Sequence, residues 1–510
     1  MVRPAALLSV IAALGAYLAL LREHRFALVD DAFIPFRYAV RWAEGHGLTW
    51  NDGVAVEGFS SPLWTVGWGA AARLGVPPER VVLWAAGAAV AGALLILARM
   101  AGRAAWTRPA TAAALGVLAL DVGFVQWAGS GLETPASALA VVAWLALARK
   151  RSISAPRGLV LGVGAAVLSL LRPEGILWAL AGGAWLLWGV WAPGRVLAAW
   201  AAGWLVPFGA YLAFRIHRYG EFLPNTFYAK VEPSGRALVH GLEDVGAWAA
   251  AHAVVLAAAL AAVGIASRRG GAPPGGASAA ETEAGAETPP PPCWISLLVG
   301  WLALQALFVL AVGGDWMGRL RYPAPMAGAG AVLVGEAVHR IRPSPRMVLV
   351  ALAAHLALGF GLRDALPGYT GEAERLGRWL REVAAPGDRL AVSAAGAIPY
   401  FSRLPTYDVL GLNDPEVRGR RARRTAAWNP AHNRYDLDRL MAVRPEWIVW
   451  DSSVPLNRAR LREYHTWDGD PDTLDFRRSL LAREDFRKSY RIEGGAPPET
   501  RTAFTVFRLR

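Results

Sequence analysis

The chain is poor in cysteine, in charge and in the signatures of soluble catalysis. Its 510 residues include one cysteine, Cys293, which excludes an internal disulfide and a cysteine-built metal cluster. Beside an apolar segment, that lone thiol reads as inert. Only 18% of the residues are charged against 54% hydrophobic, a balance that excludes an ordinary soluble enzyme. The nine histidines show no HExxH-type spacing, and there is no P-loop, GxSxG turn or dinucleotide fingerprint. Glycine clusters inside apolar runs serve helix packing instead.

What is abundant is apolar sequence in blocks about as long as a bilayer-spanning helix. They lie at 5–21, 62–76, 79–99, 109–128, 135–149, 157–171, 175–192, 195–215, 246–266, 294–313, 323–338 and 346–361. The first block lacks a small-x-small cleavage site and reads as a retained span. The net charge of +13 reflects loop arginines that set orientation, so no nucleic acid partner is expected. "RMAGRAAWTR" (99–108), "RKRSISAPR" (149–157) and "HRIRPSPR" (339–346) read as cytoplasmic. Keeping them inside requires the short block at 62–76, which ends in "LGVPPE", to be re-entrant or interfacial. That leaves about eleven crossings.

Residues 267–293 are rich in Pro, Gly, Ala and Glu and read as a disordered cytoplasmic linker. From 366 the composition turns ordinary. "DRLAVSA" (388–394), "EWIVWD" (446–451) and "AFTVFRLR" (503–510) read as strands, and "EAERLGRWLREV" (372–383) as a helix. The expected organisation is an α-helical polytopic membrane domain over 1–365 and an extracytoplasmic α/β domain over 366–510. The arginine run "RGRRARR" (418–424) suits lipid headgroups or an anionic glycan.

The ionisable residues of the membrane half fall on the outer side in short motifs, which points to one outward-facing polar cavity. A helix beginning near Asp31 puts Phe33, Phe36, Val40 and Ala43 on an apolar stripe and Arg37, Arg41 and Glu44 opposite, as in a surface helix. Asp30 and Asp31 are adjacent there. One reading makes one of them an N-cap. The other notes that two close carboxylates cannot both ionise freely, so one becomes a base or a divalent cation bridges them. Such a base takes a proton from an attacking alcohol, while arginine or lysine stabilises a departing phosphate. "SGLETP" (130–135) carries Glu133. "LRPEG" (171–175) carries Arg172 and Glu174, as a phosphate contact or as a local ion pair. "LPNTFYAK" (223–230) offers Asn225, Tyr228 and Lys230, for substrate or as an interfacial anchor. "GGDWMGRLRYP" (313–323) offers Asp315, Trp316, Arg319 and Arg321.

Together, "DDAFIPFRYAVRWAEGHGLTWNDGVAVEGFSSPLW" (30–64), these islands and "AAGAIPYFSRLPTYDVLGLND" (394–414) resemble one family. It is that of the mycobacterial terminal β-(1→2)-arabinofuranosyltransferase, within the GT-C superfamily of polyprenyl-phosphate-sugar glycosyltransferases. The resemblance implies a GT-C fold and an enzyme of the bacterial inner membrane, with site and C-terminal domain facing outside. It implies a lipid-linked sugar donor, a cell-envelope glycan acceptor, and a pentose such as arabinofuranose as the sugar. Asp30 and Asp31 become the catalytic pair. Arg172, Lys230, Arg319 and Arg321 become donor-phosphate contacts, Asn225, Tyr228, Asp315 and Trp316 substrate contacts, and Glu57 a support of the opening loop or of the bound acceptor substrate. The sequence departs from the family pattern at Phe59-Ser60-Ser61. A lipid-linked glycan flippase, or a non-enzymatic regulator of motility or envelope assembly, shares these features without needing a base.

Overall fold

The structure, a computed structural model, describes residues 4–23, 28–150, 152–231, 234–269, 293–315, 317–363, 368–418, 435–451, 479–501 and 504–510. Most of the expected linker, most of the arginine run and Trp316 lie outside the described residues.

The apolar blocks fold as helices. Pro78–Arg103, Gly194–Tyr219, Trp294–Val312 and Pro345–Leu362 are long and apolar enough to cross a bilayer. Two further pairs pass as single bent spans: Arg108–Leu120 with Val122–Ala128, bent by 52°, and Gly235–Ala251 with Ala253–Ile265, bent by 78°. Other blocks form shorter apolar helices, Thr134–Ala148, Ala155–Leu171 and Gly175–Gly189. The block at 62–76 gives the 12-residue helix Pro62–Arg73, which at 1.5 Å per residue is about 18 Å long and short of a ~30 Å hydrocarbon core.

The chain divides into two compact units: Met1–Phe26, Val82–Ala213 and Leu238–Ala365 form one, and Ala27–Val81, Phe214–Ala237 and Leu366–Arg510 the other. This differs from the boundary expected at 365/366. Two segments of the membrane half fold with the C-terminal domain instead.

In the first unit, Arg108–Leu120 packs along Ala327–Ile341, two helices whose facing residues are mostly alanine, glycine and valine. Beside them a tryptophan cluster fills the core, with Trp144 and Trp178 against Trp301 at ring-centroid distances of 5.0 and 6.2 Å. Such rings contribute packing that no smaller apolar side chain supplies.

In the second unit, five strands form one sheet in the order β2-β1-β3-β5-β4, where β1 is Leu390–Val392, β2 Thr406–Asp408, β3 Trp447–Asp451, β4 Tyr490–Ile492 and β5 Phe504–Leu509. β1 runs parallel to β2 and β3, and β5 runs antiparallel to β3 and β4. The amphipathic helix Thr370–Val383 buries Ala373, Leu376, Gly377 and Leu380 and packs against the short helix Ala397–Ser402.

The helix Phe33–Ala43 belongs to this unit and corrects the surface-helix expectation. Its apolar side meets protein: the Phe33 ring lies 5.3 Å from both Tyr400 and Phe401. Its polar side is buried at Arg37, half-buried at Arg41 and exposed at Glu44. Arg37 is 4% exposed and lies 4.6 Å over the Trp50 ring. It donates to the carbonyls of Trp50, Pro399 and Leu404. A guanidinium with this many acceptors is an internal brace, not a solvated face.

Candidate functional site

A single 3₁₀ turn, Asp30–Ala32, leads into the helix Phe33–Ala43 and separates the fates of the two aspartates. Asp30 is buried, and its two carboxylate oxygens accept the backbone N–H groups of Gly396 and Ala397, each at 2.8 Å. These are orphan donors at the start of the helix Ala397–Ser402. The N-cap reading therefore holds for Asp30 in an altered form: it caps a distant helix, while its own turn has no side-chain cap. A Cβ at Gly396 would lie 1.9 Å from the Asp30 carbonyl oxygen, so this approach requires glycine.

Asp31 is different. Its side chain keeps 16% of its exposure, and one oxygen lies 3.5 Å from the Lys230 Nζ, itself 19% exposed, at the end of the short helix Asn225–Lys230. The turn thus anchors one carboxylate to backbone and presents the other beside an ammonium. Among the described residues, no group of three His, Cys, Asp or Glu side chains is placed to hold a metal ion.

A second layer positions this pair. Glu57, 2% exposed, receives Arg215 at 2.6 and 3.1 Å through two parallel hydrogen bonds, the geometry that suits a carboxylate to a guanidinium. The carbonyl of Glu57 accepts the backbone N–H of Asn225 at 2.9 Å. The Asn225 amide donates to the carbonyls of Gly411 and Leu412 at 2.8 and 2.7 Å. That segment is shaped by Asp408, whose carboxylate accepts the backbone N–H groups of Leu410, Gly411 and Asn413 and the Asn413 side chain. Burial pushes the Asp408 carboxyl up to about 6, against the pull of those donors. Tyr38 completes the ring, donating to Val56 O at 3.0 Å while its oxygen accepts Gly58 N–H at 3.0 Å. A Cβ at Gly58 would sit 1.8 Å from Asn413 Oδ1, which explains the glycine of the "VEGF" motif.

Glu57 and Asn225, the first expected to support the loop or the acceptor and the second at the sugar, both brace the loop. Tyr228 is half-buried, its ring edge-on to Phe227 at 6.0 Å. Arg215, Tyr38, Asp408 and Asn413 are the participants that sequence reasoning missed.

The remaining expected residues lie in the first unit. Arg172 is buried between Glu174 at 2.5 Å and Glu133 at 2.7 Å, which is the local ion-pair reading of "LRPEG" extended to "SGLETP". Asp315 takes the Met317 N–H at 3.1 Å, pairs with the guanidinium of Arg321, and donates its own N–H to Asp244 at 2.8 Å. It orders the "GGDWMGRLRYP" turn. Arg321 is buried there, between the Trp127 and Tyr322 rings, while Arg319 is exposed.

By sequence, a domain family described only as of unknown function, DUF8728, matches residues 364–507. No curated protein matches the chain. By structure, the chain is similar to ArnT from Cupriavidus metallidurans bound to undecaprenyl phosphate, with 15% identity, a TM-score of 0.58 and coverage of 98% of this chain and 97% of that one. The apo state of the same protein gives a TM-score of 0.54 at 14% identity, with the same coverage. The arabinofuranosyltransferase AftD from Mycobacteria gives 0.47 at 15% identity, over 98% of this chain and 41% of that one. Extending over nearly the whole of both chains, the likeness to ArnT establishes that this mostly helical protein has the GT-C membrane fold, with a small C-terminal sheet.

Proposed function

We propose that the protein is an inverting glycosyltransferase that uses a polyprenyl-phosphate sugar as donor. The observation that carries this reading is the pairing of the half-buried Asp31 carboxylate with Lys230 on a turn anchored through Asp30. The GT-C fold supports it, since ArnT was solved with undecaprenyl phosphate bound.

In this mechanism an acceptor hydroxyl attacks the anomeric carbon from the face opposite the phosphate. Asp31 takes the hydroxyl proton as the new C–O bond forms. The bond from the anomeric carbon to the phosphate oxygen breaks, its electron pair leaves on the polyprenyl phosphate, and Lys230 stabilises that charge. Asp30 positions the turn and does not exchange protons. The donor sugar is a pentofuranose, arabinofuranose being the first candidate. The acceptor is a cell-envelope glycan on the outer face of the bacterial inner membrane.

Incubating the purified protein with a labelled polyprenyl-phosphate pentose and an envelope glycan tests the reading. Transfer of label with release of polyprenyl phosphate is expected. Movement of intact donor across a vesicle bilayer without its cleavage would instead identify a flippase.

A further inference from the structure

One end of the first unit lies outside the proposed chemistry and gathers charge of one sign. Contacts between helix ends bring it together. The backbone N–H of Thr107, just before Arg108–Leu120, donates to His339 Nδ1 at 3.3 Å, in the last turn of Ala327–Ile341. Trp106 packs on the same helix at Gly335, where a Cβ would lie 2.2 Å from its ring. Arg149, at the end of Thr134–Ala148, is buried and donates to Glu336 Oε1 through Nε and Nη2, both at 3.0 Å. Pro345–Leu362 begins beside this corner and packs against Arg108–Leu120.

Glu336 is the one carboxylate among the described residues of 95–115, 145–160 and 335–350, and it is already occupied. Arg149 holds Oε1, and Arg340 Nη2 lies 3.4 Å from Oε2. Arg99, Arg103, Arg108, Lys150, Arg342 and Arg346 have no acidic partner among the described residues. Lys150 is half-buried and the five arginines are exposed. Like charges collected in this way repel one another, so an anion that bridges them stabilises the corner.

The surroundings identify the anion. Pro78–Arg103 and Pro345–Leu362 are long and apolar enough to cross a bilayer, so Arg103 and Arg346 stand at helix ends, level with lipid headgroups. Ile341, Met347, Leu349 and Val350 are exposed apolar side chains within one helical turn of Arg342 or Arg346. A ligand that meets both surfaces carries phosphate at one end and hydrocarbon at the other. We propose that this crown of cations binds the headgroup of an anionic phospholipid, with the acyl chains lying along Pro345–Leu362. A soluble polyanion such as nucleic acid satisfies the charge but leaves the apolar side chains uncovered. Each cation beside an anionic lipid surface strengthens binding about fivefold.

The full chain, stripped of lipid in an uncharged detergent, is titrated with phosphatidylglycerol or phosphatidylcholine, and bound lipid is counted by native mass spectrometry. Phosphatidylglycerol is expected to bind at least about tenfold more tightly, with the preference shrinking at high salt. Equal affinity for the two lipids overturns the proposal. A variant with Arg103→Gln, Arg108→Gln, Arg342→Gln and Arg346→Gln removes exposed charge and leaves the Arg149–Glu336 pair intact. It is expected to keep its Tm in detergent and to lose about tenfold or more of the phosphatidylglycerol affinity. Wild-type affinity in that variant overturns the proposal. Glycerol phosphate, a headgroup without chains, is expected not to displace the lipid at equal concentration. Complete displacement by it, or tighter binding of a short oligonucleotide, contradicts a lipid surface.

Discussion

The backbone N–H of Gly396 donates to the Asp30 carboxylate at 2.8 Å, across 366 residues of chain. This bond makes the turn before Phe33 and the loop after β1 one object. Because a Cβ at Gly396 would meet Asp30 backbone, Gly396→Ala is expected to displace the turn. Asp30→Ala is expected to strand two buried amides, at about 1–3 kcal/mol each. Thermal unfolding should show both variants destabilised, and Asp31→Ala unchanged.

Lys230 should act on the donor rather than on the fold, because its contact with Asp31 is long and partly exposed. Lys230→Met is expected to lower kcat by about tenfold or more, with Lys230→Arg recovering most of the loss. Steady-state kinetics over donor concentration checks this.

Arg215 and Glu57 form a buried ion pair, and breaking one partner strands the other. Arg215→Met is expected to cost roughly 3–5 kcal/mol, and Glu57→Gln on that background to recover part of it. Denaturant titration of the four proteins of the cycle gives the coupling.

Asp408 gives a pH signature to the second unit. Its folded value of about 6 lies above the ordinary carboxyl range, so the native state holds its proton after the unfolded chain has lost it. The stability from this group is fully present below about pH 4 and lost as pH rises through about 6. Relative to Asp408→Asn, wild type should lose roughly 3 kcal/mol over that interval. Unfolding midpoints of both proteins from pH 4 to 7 test the slope.

The helices were legible because burial in a bilayer or a bundle core writes itself as apolar length. Leu390–Val392, Trp447–Asp451 and Phe504–Leu509 were legible as strands for a similar reason. β2 (TYD) and β4 (YRI) have three residues each and carry polar residues, whereas the equally short β1 (LAV) is apolar throughout. The bends at Asp121 and His252 were hidden because apolar sequence continues on both sides of each break. At the site, adjacency made Asp30 and Asp31 look equivalent. What separates them is a partner beyond the reach of any local pattern, Gly396. Arg215 was passed over for the same reason: its carboxylate, Glu57, lies 158 residues away. Composition also suggested a boundary at 365/366, whereas hydrogen bonds from 30–58 and 225 to 396–413 gather those segments into one unit.

The most direct measurement of the central claim is turnover of a labelled polyprenyl-phosphate sugar by wild type, Asp31→Asn and Asp31→Glu, each shown to be folded by an unchanged Tm. The account predicts a loss of at least about a hundredfold in kcat for Asp31→Asn, with donor KM little changed and partial recovery in Asp31→Glu. Wild-type turnover retained by folded Asp31→Asn would contradict it.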